Sequence, residues 1–103
     1  MSSLYEISSE AQNDLLEIWC HIAEDDIDLA DRIEREFHDL FVSLARHPSL
    51  GHKRKDLTEK AVLFFPLYSF LIVYQAELKP IRIMAVLRGK RDVRRILKRR
   101  PEV

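Results

Sequence analysis

The stretch Arg88-Gly89-Lys90-Arg91-Asp92-Val93-Arg94-Arg95-Ile96-Leu97-Lys98-Arg99-Arg100 holds eight basic side chains and one acid. Cations at this density repel one another, and a partner of opposite charge relieves the repulsion. The planar fork of arginine fits phosphate and carboxylate equally well, so the segment points to a polyanion or an acidic protein segment without choosing between them. A second basic group, Lys53, Arg54 and Lys55, lies in a polar stretch earlier in the chain, and Arg82 precedes Arg88 within one apolar run. Lys53, Arg54, Arg82, Arg88, Lys90, Arg91, Arg94 and Arg95 form the expected partner-binding set. The plainer reading is a solvated surface that keeps the protein soluble and discourages edge-to-edge pairing.

Some of the same residues suit RNA chemistry. Cleavage through attack of a 2′-hydroxyl needs a group to remove a proton, another to protonate the leaving oxygen, and cations to stabilise the developing charge. Arg54, Arg82, Arg88 and Arg91 can supply the cations, but an arginine stays protonated and makes a poor base. Only His47 and His52, which lie on either side of Pro48, or an unusually shifted lysine could serve in proton transfer near neutrality. More often than not such histidines are ordinary loop residues. His21, His38, His47, His52 and the lone Cys20 match no common metal spacing, so neither a metal nor a cofactor is expected. Gly51 and Gly89 stand alone, which leaves no phosphate-cradling loop, and no serine is flanked by glycines as a nucleophile would be. Tyr68, in a turn, could stack on a base or simply cover the edge of the core.

The charge is segregated along the chain. Residues 1–47 carry twelve carboxylates against three arginines, a net of −9, and residues 48–103 carry fourteen cations against five carboxylates, a net of +9. The zero overall balance therefore hides a strong dipole whose basic pole attracts anions. With 103 residues, 47% hydrophobic and 33% charged, the chain is expected to form one domain over 1–103. No run approaches the roughly 18 apolar residues of a membrane span, and the N-terminus lacks a signal-peptide pattern. The expected compartment is the cytoplasm, with no membrane partner, and a single cysteine suits a reducing environment.

These residues must be held by a small set of elements. Leu4 to Ile7 reads as a short opening strand. Ser9 and Gln12 have the spacing of a capping box, and Ala11, Leu15, Ile18, Trp19, Ile22 and Ala23 share one face of the helix that follows. Glu24-Asp25-Asp26 ends it. Asp28 is the expected N-cap of a second helix with the stripe Leu29, Ala30, Ile33, Phe37, Leu40, Phe41, Leu44 and Ala45, stopped by His47-Pro48. The short link makes an antiparallel helical hairpin whose stripes face a common surface. Ala61 to Phe65, Phe70 to Tyr74 and Ile81 to Leu87 are runs rich in β-branched and aromatic residues, divided by Pro66 to Ser69 and by Gln75 to Pro80. Their close spacing predicts an antiparallel meander, with Gly51 to Lys60 as a polar loop between the layers. Alternation places Ile81, Ile83, Ala85 and Leu87 on one face of the last strand, with Arg82, Met84, Val86 and Arg88 on the other. Asp92 caps a final turn pinned by Val93, Ile96 and Leu97. The expected fold is α+β, in the order β-α-α-β-β-β: a helical hairpin on one face of a small, mainly antiparallel sheet, with a short C-terminal helical turn.

This order of elements, taken with Ile18 to Ala23, Leu44 to Gly51, Asp56-Leu57, Phe65-Pro66, Phe70 to Tyr74 and Val86 to Asp92, resembles the RelE/ParE toxin superfamily of bacterial toxin-antitoxin modules, and the ParE branch most. The likeness spans nearly the whole chain. It implies a toxin neutralised by a cognate acidic antitoxin in a hetero-oligomer. ParE-like members inhibit DNA gyrase by binding it; RelE-like members cleave messenger RNA in the ribosome. The chain departs from the ParE pattern at Leu63 and Phe64, where an arginine commonly precedes the Phe-Pro pair, and at Arg88, where histidine is frequent. It departs from the RelE pattern in lacking a tyrosine or histidine between Val93 and Val103. The resemblance thus implies a gyrase-binding toxin first, a ribosome-dependent endoribonuclease using Arg54, Arg82, Arg88, Arg91 and His52 second, and a non-toxic, partner-binding regulator of its own operon third.

Overall fold

The computed structural model describes residues 4–89 and 92–100. The elements run β1 (Tyr5–Ile7), α1 (Ser9–Ala23), α2 (Ile27–Arg46), a 3-10 turn at Pro48–Leu50, β2 (Leu63–Leu67), β3 (Phe70–Gln75), β4 (Ile81–Arg88) and α3 (Val93–Arg99). The α+β order expected from the sequence is the order observed. β2, β3 and β4 form the antiparallel meander, and β1 pairs parallel to β4, which gives the spatial order β1-β4-β3-β2.

Both helix starts lie earlier than their patterns suggest. Ser8, not Ser9, caps α1: its buried hydroxyl accepts from the Ala11 N–H and donates to the Met84 carbonyl, while its own N–H bonds the Ile83 carbonyl. Ser8 is favoured because this position joins the cap to the sheet, which Ser9, one residue into the helix, cannot do. Gln12 completes no capping box; its amide reaches the Ile7 carbonyl. For α2 the cap is Asp26, whose carboxylate accepts from the Leu29 N–H at 2.9 Å, and Asp28 lies in the first turn where the helix dipole favours an anion. The stripes of both helices meet the sheet through Ala11, Leu15, Ile18, Phe37, Phe41 and Leu44. Burying a residue such as Phe41 or Leu44 contributes about 1.5–3 kcal/mol. Trp19 is only half-buried, and its indole N–H donates to Asp31 across the hairpin at 2.9 Å.

The meander is shifted from its sequence outline. Ala61 and Val62 precede β2, whereas Pro66 and Leu67 belong to it, leaving Tyr68-Ser69 as a two-residue turn with Tyr68 at φ 55°. Proline is tolerated there because β2 is an edge strand. A larger departure lies in β4. Val73 pairs with Ala85 and Tyr74 with Ile83, so Met84 has no counterpart and forms a bulge. The extra residue reverses the alternation beyond it. Ile81, Ile83 and Val86 face the helical hairpin, while Ala85 and Leu87 turn to the opposite face.

That opposite face is not open. Val62, Phe64, Val73, Ala85, Leu87, Val93 and Leu97 make a second, smaller core beneath α3, with Leu57, Leu71 and Ile96 packed at its margin. The sheet is therefore covered on both sides, and Met84 to Leu87 are buried throughout. This suits a central strand rather than a half-exposed one.

Candidate functional site

α3 is held at the centre of the basic pole, and the loop after α2 is folded against it. The loop's root is rigid. The Gly51 N–H donates to the Tyr74 hydroxyl at 2.8 Å, and that hydroxyl donates to the Pro48 carbonyl at 2.6 Å. A Cβ at position 51 would lie 2.5 Å from the same oxygen, so the close approach requires glycine. Burial pushes the Tyr74 hydroxyl above its ordinary pKa of 10.0, offset in part by the Gly51 N–H. One residue on, His52 exchanges two backbone hydrogen bonds of 2.8 Å with Phe64 on the outer edge of β2.

The loop is then stitched to both ends of α3. Arg54 grips the Asp56 carboxylate with two bonds of 2.9 and 2.8 Å, which holds that exposed carboxyl below its ordinary range. Arg94 donates to the Asp56 carbonyl. Lys60 donates to the Leu97 and Arg100 carbonyls at 2.7 and 3.2 Å, where the helix dipole and unsatisfied carbonyls favour a cation. Between loop and helix runs a cleft of about 660 Å³, lined by Lys55 to Lys60 with Arg94 and Lys98. It adjoins a recess of about 370 Å³ reaching Lys53, Arg54, Ala61 and Val62.

A second groove, also about 660 Å³, lies between α1, the end of β4 and α3. Its centre is an internal ion cluster. Arg100 makes two bonds to Asp14, at 2.8 and 2.9 Å, a third to Glu10 at 3.0 Å and a fourth to the Met84 carbonyl at 3.0 Å. Asp14 also accepts the Val86 N–H at 3.0 Å. Beyond Ile7 the β4 edge has no strand beside it, and these side chains supply the hydrogen bonds a strand would have made. The Arg100 and Asp14 side chains are 12% and 15% exposed, which places the pair largely out of water.

The expected binding residues are thus divided. Lys53, Arg54 and Arg94 meet at the loop–α3 cleft, and Arg95 is exposed at the start of α3, paired with Asp92 at 3.0 Å. Asp92 occupies the N-cap position of α3 but makes no side-chain cap, because its backbone is left-handed at φ 56°. Arg88 lines the groove beside α1. Arg82 is half-buried at the other end of β4, across from Glu6 and Gln75. The bulge puts the two arginines on opposite faces, not on the shared face that simple alternation predicts. Lys90 and Arg91 lie outside the described residues. The tail is not a uniformly open run of cations either, since Arg100 is matched by the carboxylates of α1.

His47 and His52 are exposed, His21 is exposed at the end of α1, and His38 is half-buried with its Nδ1 2.7 Å from the Tyr5 hydroxyl. Tyr68 is 63% exposed and donates to Glu36 at 2.7 Å, a bond that raises its pKa. Among the described residues no group of three or more histidine, cysteine or carboxylate side chains is placed to hold a metal ion. Among the described residues no helix is long and apolar enough to cross a membrane. Lys55 and Lys98 also line the cleft, although neither belongs to the expected binding set. The available signal was spacing, for Lys98 follows Arg94 by four residues and shares its side of α3.

No curated protein matches the chain significantly. Among solved structures, one described as a chromosomal ParDE TA system from P. aeruginosa superposes with a TM-score of 0.68 at 19% identity, covering 84% of this chain and 95% of that one. The likeness supports the fold. The sequence profile of the ParE toxin of type II toxin-antitoxin systems, parDE, matches residues 5–93. That match takes in the helical hairpin, all four strands of the sheet and the first residue of α3, and the chain belongs to the ParE toxin family.

Proposed function

We propose that the chain acts in the cytoplasm as a toxin of a type II toxin-antitoxin pair, restrained by an acidic antitoxin and acting by binding its target, with DNA gyrase the first candidate. The observation that carries the choice of binding over catalysis is the dispersal of the candidate catalytic groups. Arg82 and Arg88 sit on opposite faces of β4 and six residues apart, about 20 Å at the rise of a strand. Arg54 is committed to Asp56, and the His52 backbone is tied to the outer edge of β2. Groups that must meet around one scissile phosphate are therefore spread over the molecule, which disfavours an endoribonuclease. An adaptor that binds a macromolecule needs no such convergence, and the segregated charge suits it.

The test is direct. Induced expression of the chain is expected to stop DNA replication before translation, and the purified protein to inhibit gyrase supercoiling in a dose-dependent way. Unchanged supercoiling over a wide concentration range would remove gyrase. Cleaved transcripts in a translating extract would restore the endoribonuclease reading, and cells that tolerate the chain would favour a regulator without toxicity.

A further inference from the structure

We propose that the cleft between the Lys53–Lys60 loop and α3 is the docking site of an extended acidic segment of a protein partner, one in which apolar side chains are interspersed among carboxylates. For the identity of that partner as the restraining one, this rests on the toxin reading above.

Charge makes the first argument. The cleft and its adjoining recess are lined by Lys53, Arg54, Lys55, Lys60, Arg94 and Lys98 against the carboxylates Asp56 and Glu59. Arg54, Lys60 and Arg94 spend donors on holding loop and helix together. Lys53, Lys55 and Lys98 are exposed, and no ionic partner for them occurs among the described residues. The cleft is thus a stitched frame whose outer cations remain available. Its carboxylate Asp56 is already neutralised by Arg54, which lowers the cost of bringing an anion close.

The walls decide the kind of anion. Leu57 and Ala61 place apolar surface between the lysines, and the lining carries no aromatic side chain. A single strand of nucleic acid gains much of its sequence-tolerant affinity by stacking bases on aromatic rings, and nothing here offers that. Apolar patches flanked by lysines suit leucine-like side chains alternating with carboxylates. Backbone pairing is closed as a route: on the outer edge of β2 the Phe64 N–H and carbonyl are taken by His52, and position 66 is proline with no N–H to give. Recognition therefore falls to side chains in the cleft.

The experiment uses the full chain and fluorescence anisotropy with three labelled probes: a synthetic peptide of repeated Glu-Leu-Asp-Ser, the same peptide with serine for leucine, and an oligothymidylate of equal charge. The leucine peptide is expected to bind most tightly. The Lys55→Glu/Lys98→Glu variant should weaken it about tenfold, the sum of two rim charges, and Lys55→Gln/Lys98→Gln by less. Arg88→Glu, on the other groove, should leave it unchanged. Circular dichroism on each variant checks that the fold survives, and the glutamine pair retains the test if the glutamate pair does not fold. Oligothymidylate binding above either peptide overturns the proposal, as does equal sensitivity to Arg88→Glu or no saturable peptide binding. Growth assays separate the two readings: a wild-type chain that fails to arrest growth while binding the peptide sinks the toxin reading and spares the cleft.

Discussion

Arg100 and Lys98 are two residues apart and meet opposite fates. Arg100 is drawn into the junction of α1, β4 and α3, where Asp14, Glu10 and the Met84 carbonyl take four of its five N–H donors. Lys98 lines the cleft on the loop side, where Asp56 is already gripped by Arg54 and no ion pair joins Lys98 to a described carboxylate. The same basic tail thus supplies a structural clasp on one side and an available charge on the other. Density of charge does not by itself mark a binding residue. What distinguishes the two is whether carboxylates close on the cation: the clasp lies at the free edge of β4, against α1, while the cleft lies between α3 and the loop.

The comparison breaks most readily at Asp14. Asp14→Ala removes two of the bonds that hold Arg100 and leaves the Val86 N–H without its acceptor, in a region largely closed to water, and should cost about 3 kcal/mol. A urea transition shows this, and amide exchange at Val86 should quicken as the clasp opens. If stability is unchanged, Arg100 is no clasp. Gly51→Ala should cost about 1–3 kcal/mol by driving a methyl into the Tyr74 hydroxyl, and should also disorder the root of the cleft. Denaturation together with peptide binding reads both effects.

Tyr74→Phe removes one buried hydroxyl that serves two backbone groups and should cost about 1 kcal/mol. It carries a pH signature as well. Because burial raises the Tyr74 pKa above 10.0, the folded state keeps a proton that the unfolded chain releases. That contribution is complete below pH 10 and is lost as pH rises through the folded value. Tyr74→Phe should flatten the alkaline fall in melting temperature. The smallest effect belongs to Lys98→Ala, which should change stability by less than about 0.5 kcal/mol. A larger loss would mean that this lysine, like Arg100, is structural.

The two helices were readable because their stripes are local. Leu15, Ile18 and Ile22, or Phe37, Phe41 and Leu44, declare a face from spacing alone, and His47-Pro48 declares a stop. Cap positions were blurred by one or two residues, since Ser8 and Ser9, or Asp26 and Asp28, are chemically similar and only contact with β4 or local backbone geometry selects one. The bulge at Met84 had no local marker. Nothing in Ile81 to Arg88 announces an extra residue, yet it moves Arg82 and Arg88 to opposite faces. The clasp was equally hidden, because Asp14 and Arg100 are 86 positions apart and no periodicity links them.

By itself, then, the chain's sequence determined the order and kind of its elements, the hairpin of helices, and the separation of acidic from basic halves, all of which follow from short-range periodicity and composition. Only the tertiary structure decided which cations are occupied and which are left to meet a partner. That choice depends on strand register and on side chains brought together from distant positions, and a single unpaired residue in β4 is enough to redirect it.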